Sequence, residues 1–138
     1  GLLRRHRATV VWCPRTHAFF GHPPHPVRRM RAAGVPVAIG TDSLGSAPSL
    51  SVLDEIRFAE ARGHRPGELL EMATAAGGVA LGVRAGRIAR GWAADFTVVE
   101  GRGPEDLLGG RVVGRAVAGV FDAARDSGGG AAAGPAGG

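Results

Sequence analysis

Two short, nearly unbroken apolar runs, residues 8–13 and 35–39, constrain this chain more than any other feature. Both are rich in β-branched residues and neither alternates with polar ones. That is how strands buried on both faces of a parallel sheet read. Pro14 ends the first run, and a loop carrying Gly21, Pro23, Pro24 and Pro26 follows. Residues 27–33 then suit a helix whose basic last turns complement the dipole, with Gly34 as its left-handed stop.

After the second run, Ser51 and Asp54 match a capping box. Val52, Leu53, Ile56 and Ala59 recur at helical period, and Gly63 ends the helix. Pro66 fits the first position of another helix, with Leu69, Leu70, Ala73 and Ala76 as its buried face and Gly77-Gly78 as its stop. The order strand, helix, strand, helix, helix predicts parallel α/β structure. Past the glycines at 82–86 the period changes. Residues 87–89, a turn at Arg90-Gly91 and residues 95–100 read as paired strands, and residues 112–121 as one or two more. Residues 127–138, almost all Gly, Ala and Pro, are expected to form a disordered tail because they cannot bury enough apolar surface to offset ordering entropy. Two parallel strands cannot close a sheet, and a (β/α)8 barrel typically takes ~250 residues. The chain therefore reads either as a small open α/β domain or as the end of something larger.

The formal net charge is +5, and all 17 basic residues are Arg. Such a balance admits a nucleic-acid or anionic-partner binding module. The arginines are scattered, however, and no aromatic residues interleave with them to stack bases, so a solvated surface is the favoured reading. A single cysteine, Cys13, excludes an internal disulfide and leaves the cytoplasm as the default compartment. No apolar run approaches the ~20 residues of a membrane span.

The chemistry concentrates in Val37-Ala38-Ile39-Gly40-Thr41-Asp42-Ser43, where an apolar strand delivers a carboxylate at its C-terminal end. Ligands bind at that end of parallel sheets. Asp42 can there accept a proton or ligate a metal, although a strand-terminal Asp also serves as a turn former. Cys13 has no matching dyad and reads as a small apolar residue. Glu55 and Arg57 read as a solvated or packing pair, and Arg15 as a site residue or a surface ion-pair partner.

The run from Val10 to His22, with its Cys13-Pro14-Arg15-Thr16-His17, resembles strand seven and its loop in the amidohydrolase superfamily, of the deaminase and chlorohydrolase type. Residues 33–43 resemble strand eight, 48–57 the helix after it, 73–82 the following Ala-Leu-Gly helix, and 86–100 the hairpin that returns the chain to a small β-sandwich. The resemblance implies the last two strand–helix units of a (β/α)8 barrel over residues 1–82 and a β-sandwich return segment over 83–126. It implies that Asp42 contacts a catalytic divalent metal, zinc or iron, and exchanges a proton with the attacking water. It places Arg15, Thr16, His17, His22 and Ser43 as substrate-binding candidates and Asp95 as a structural residue of the hairpin. The expected chemistry is hydrolysis of a non-peptide C–N bond, deamination of a purine-like or pterin-like ring, with a chlorohydrolase as another reaction type.

The superfamily also uses a His-x-His pair from strand one and single histidines from strands five and six. This sequence has no His-x-His, and His6 stands too close to strand seven to be the strand-six ligand. His22 and His25 are three apart in a Pro-rich loop, a spacing too common to indicate zinc. The chain is thus expected to be a fragment that holds no metal and is inactive alone, with a small-molecule substrate and a possible homo-oligomer belonging to the complete enzyme. Gly45, Ala47 and Trp12 depart from the superfamily's usual residues, which leaves substrate identity open.

Overall fold

The computed structural model describes residues 1–102, 106 and 109–123. It opens with a short helix α1 (Leu2–Arg5), followed by strand β1 (Val10–Trp12), helix α2 (Pro14–Phe19), helix α3 (Val27–Ala32) and strand β2 (Val37–Ile39). β1 and β2 pair in parallel with Val10 opposite Val37 and Trp12 opposite Ile39. All three residues of β2 are buried, as its unbroken apolar sequence requires. Helices α4 (Val52–Glu60), α5 (Pro66–Ala73) and α6 (Ala75–Leu81) follow, and both α4 and α5 pack against β2. Trp12, Val27, Val37, Ile39, Ile56, Ala59, Leu69 and Met72 form one core where these elements meet.

The helix signals are realised in detail. The Ser51 hydroxyl accepts from the Asp54 amide at 3.2 Å and caps α4. Gly34 and Gly63 take positive φ after α3 and α4. Two expectations are corrected. Pro14 ends β1 but also begins α2, a helix where only a loop was expected; Pro suits a first helical position, where no amide hydrogen is needed. Gly77-Gly78 is not a helix stop, because α6 runs through both residues to Leu81. A Cβ at Gly78 would collide with the Ala85 carbonyl oxygen. The glycine therefore serves the close passage of the chain across α6.

The remaining strands, β3 (Phe96–Val99), β4 (Val112–Val117) and β5 (Val120–Ala123), form a separate antiparallel sheet in that order. Residues 112–121 thus hold two strands, but residues 87–89 are not one: β3 pairs with β4 instead. The turn expected at Arg90-Gly91 does form, closed by the Trp92 amide donating to the Ala89 carbonyl at 3.1 Å, but without a strand before it. The β4–β5 hairpin turns through Ala118 (φ 51°) and Gly119 (φ 78°), the double positive φ of a twist-matched two-residue turn. Asp95 Oδ1 accepts from the Ala118 amide at 2.7 Å, so Asp95 has a structural role. Residues 127–138 lie outside the described residues.

Candidate functional site

The parallel pairing sets the C-terminal ends of β1 and β2 side by side. The Gly40 amide donates to the Trp12 carbonyl at 3.0 Å, and a Cβ at Gly40 would stand 2.7 Å from Val11 Cγ1. Only glycine lets the end of β2 run this close to its neighbour. Beyond it, Asp42 and Ser43 are exposed. A turn then folds the chain back, with the Ser46 and Ala47 amides both donating to the Ser43 carbonyl, at 3.1 and 3.0 Å.

That turn brings a buried hydroxyl to Asp42. Ser46 Oγ donates to Asp42 Oδ2 at 2.8 Å and lies 2.9 Å from Thr16 Oγ1 in the first turn of α2. Thr16 and Asp42, both anticipated from sequence, are therefore joined through Ser46, which was not.

Arg15, one residue earlier, faces inward. Its backbone amide and Nε donate to the two carboxylate oxygens of Glu55, each at 2.8 Å. Its Nη1 reaches Ser49 Oγ at 3.1 Å, and its Nη2 reaches the Ser49 carbonyl at 2.7 Å and the Ser51 carbonyl at 3.4 Å. The Glu55 side chain is fully buried, so the solvated-pair reading of Glu55 is corrected. Glu55 instead caps an open amide at the start of α2 from a distant helix. Sequence carried a signal for this. Glu55 falls with Val52, Ile56 and Ala59 on the buried stripe of α4, where a carboxylate has to find a partner. Arg57 pairs with Asp54 at 3.6 Å and donates to the Gly110 carbonyl at 2.6 Å.

Two histidines flank Trp12, and two more adjoin them. His25 stacks on the indole with ring centroids 5.9 Å apart, and His64 approaches it at 4.9 Å. His17 lies edge-on to His25 at 5.4 Å and near exposed His22 at 5.5 Å. His17 Nε2 donates to the Pro23 carbonyl at 2.7 Å, which fixes the loop that carries His22. Burial, reinforced by His17, lowers the His25 pKa. Burial also lowers that of His64, with Arg28 adding to the effect and Glu68 opposing it. Burial first, then Glu55 and Asp42, raises the Cys13 thiol, which agrees with a non-nucleophilic cysteine.

Asp42 fits the part of one metal ligand, since its hydrogen bond falls on Oδ2 and Oδ1 is left for another partner. No three His, Cys, Asp or Glu side chains converge on a metal-binding position among the described residues. A groove of 440 Å³ lined by Leu53, Ile56, Leu70, Ile88 and Phe96 does not include Asp42. No helix of the described residues is long and apolar enough to cross a membrane.

This geometry agrees with what known proteins look like. A 5-methylthioadenosine/S-adenosylhomocysteine deaminase from Halobacterium salinarum is 42% identical over 108 residues, covering 72% of this chain and 25% of that protein. An adenosine deaminase from Xanthomonas campestris with bound zinc superposes with a TM-score of 0.76 at 25% identity, covering 87% of this chain and 33% of the other. An aminofutalosine deaminase from Helicobacter pylori, bound to methylthio-coformycin, gives a TM-score of 0.69 at 29% identity over 83% of this chain and 32% of its own. The chain thus spans about a quarter of the length of the curated relatives it matches. The sequence model of the amidohydrolase family matches residues 2–126, and on that match, which takes in both strand ends and Asp42, the chain belongs to the amidohydrolase family.

Proposed function

We propose that this chain is the C-terminal part of a metal-dependent hydrolase that deaminates a purine-like ring, with a 6-amino purine nucleoside as its substrate class. The observation that carries this reading is the position of Asp42. It is an exposed carboxylate at the C-terminal end of a parallel strand, with one oxygen held by Ser46 and the other without a hydrogen bond among the described residues. The deaminase names of the relatives support the substrate class. Residues 1–82 then supply the last two strand–helix units of a (β/α)8 barrel and residues 83–126 the β-sandwich return. Val11, more than half exposed on the two-stranded sheet, is the kind of surface that further barrel strands cover.

A zinc or iron ion, held by Asp42 together with histidines from outside this chain, would supply the Lewis acid that makes water acidic near neutral pH. Asp42 accepts a proton from the attacking water and returns it to the departing amine. The carbon–nitrogen bond of the exocyclic amine breaks, a carbon–oxygen bond forms, and ammonia leaves. In this reading His17, His22 and Ser43 bind the substrate, and Thr16 is joined to Asp42 through Ser46. Arg15 acts by anchoring the loop, since Glu55 and Ser49 take its donors. The basic binding module gains less support, because Arg15, Arg28, Arg31 and Arg57 all donate hydrogen bonds within the chain.

Ammonia release from adenosine, 5-methylthioadenosine and S-adenosylhomocysteine by the metal-loaded intact gene product tests the proposal. D42N is expected to lower kcat by at least about a hundredfold, the usual worth of a general acid–base. The 138-residue chain alone is expected to release none. A D42N variant with undiminished turnover, or release of halide instead of ammonia from halogenated rings, removes the deaminase reading.

A further inference from the structure

We propose that Ser46 is a positioning residue for Asp42, and that Thr16 acts through it. The inference rests on the reading of Asp42 as the proton-transferring carboxylate.

An aspartate at an exposed strand end has two rotatable side-chain bonds, and solvent alone would leave its oxygens free to exchange places. Ser46 removes that freedom. It is 7% exposed, and its backbone is fixed by the turn onto the Ser43 carbonyl. A serine hydroxyl has one hydrogen, and an ionised carboxylate only accepts. The hydrogen of Ser46 therefore goes to Asp42 Oδ2 at 2.8 Å, in preference to the Ser43 carbonyl at 3.4 Å. The Ser46 oxygen is then left as an acceptor, so at 2.9 Å Thr16 has to be the donor. The three side chains form a one-way relay, Thr16 to Ser46 to Asp42, that ties the end of β1 to the end of β2.

The relay has a firm base. Thr16 sits in α2, whose first turn is clamped by the Arg15–Glu55 pair, and Ser46 sits in a turn with two backbone bonds. The Ser46 bond to Oδ2 fixes the plane of the carboxylate, and so the direction in which Asp42 offers its oxygens to the reaction. Charge-assisted hydrogen bonds to a working carboxylate hold its geometry, and a displacement near 1 Å at such a group costs roughly a hundredfold in rate.

The test uses the metal-loaded intact gene product and four variants. S46A is expected to lower kcat by about tenfold to a hundredfold while KM stays within about twofold, because Ser46 touches Asp42 and not the nucleoside. S46T, which keeps the hydroxyl, restores most of the rate. T16V moves kcat in the same direction by less, and T16V/S46A is no worse than S46A alone. Crystal structures of the same proteins supply a readout independent of turnover: one Asp42 rotamer in the wild type and S46T, and an altered or divided one in S46A. An S46A protein that keeps both its kcat and a single Asp42 rotamer overturns the proposal, as does one whose only change is a higher KM. If the wild type releases no ammonia from any purine nucleoside, the deaminase reading fails, and the Asp42 rotamer in S46A alone decides whether Ser46 positions it.

Discussion

His25 shows how one residue's surroundings set its protonation. Its ring is stacked on Trp12, its Nδ1 is buried without a hydrogen-bond partner, and His17 stands edge-on to it. The groups facing this cluster are His17, His22 and His64, with Arg28 and Glu68 near His64. Glu68 favours the charged form of His64 only, and the groups that shift His25 are its burial and His17. Burial lowers the His25 pKa from its ordinary 6.5, and His17 lowers it further. The folded state thus binds the proton more weakly than the unfolded chain does. The stability linked to the neutral ring is present above the unfolded pKa and is lost as pH falls through it towards the folded value. The thermal midpoint is therefore expected to fall between about pH 7.5 and about pH 5.5. In H25F, which keeps a stacked ring but takes no proton, the fall is expected to be smaller. An H25F midpoint that tracks the wild type across this range would refute the assignment and shift it to His64, whose pKa is also lowered.

Among elements, the junction of α2 and α4 carries the largest concentrated electrostatic interaction. Arg15 is only 10% exposed in its side chain and Glu55 is fully buried, so neither charge has water to fall back on. Removing one partner of such a pair typically costs about 3–5 kcal/mol, because the other is left buried and uncompensated, whereas an exposed pair contributes about 1 kcal/mol or less. E55A is expected to destabilise the protein by about that amount in urea denaturation, and R15A by a comparable amount. The double variant should cost less than the sum of the singles. Strictly additive losses would show that the two side chains act separately. The same junction shows what was legible in the sequence. Asp42, both parallel strands, the Ser51 cap and the stops at Gly34 and Gly63 follow from local pattern, because apolar runs, caps and left-handed glycines act within a few residues. Helix α2 was hidden by a proline read only as a strand terminator. Ser46 was hidden because a serine in a small-residue turn is unremarkable until folding sets it 2.8 Å from a carboxylate. The strand expected at 87–89 failed because pairing is decided by a distant partner, and β3 found that partner in β4.

Over the whole molecule, stability is concentrated in one region. Every member of the core cluster lies between Trp12 and Met72, so the apolar surface buried around β2 is shared among β1, α3, α4 and α5. The second sheet has little of this. All four residues of β5 are exposed, three of four in β3 are exposed, and only Gly114 and Ala116 of β4 are buried. Those strands are held mainly by their ladder of backbone bonds and by the turn that Asp95 secures, and ladders open to solvent break at low free-energy cost. Strand β2, by contrast, is covered on both faces, and its amides are freed only when the core opens. Native-state hydrogen exchange is expected to find the amides of Val37–Ile39 markedly slower than those of Val120–Ala123, with the difference shrinking as urea approaches the unfolding midpoint. Uniform protection across both sheets would mean that they unfold as one unit, and that the boundary in the sequence period near Gly82 has no counterpart in cooperativity.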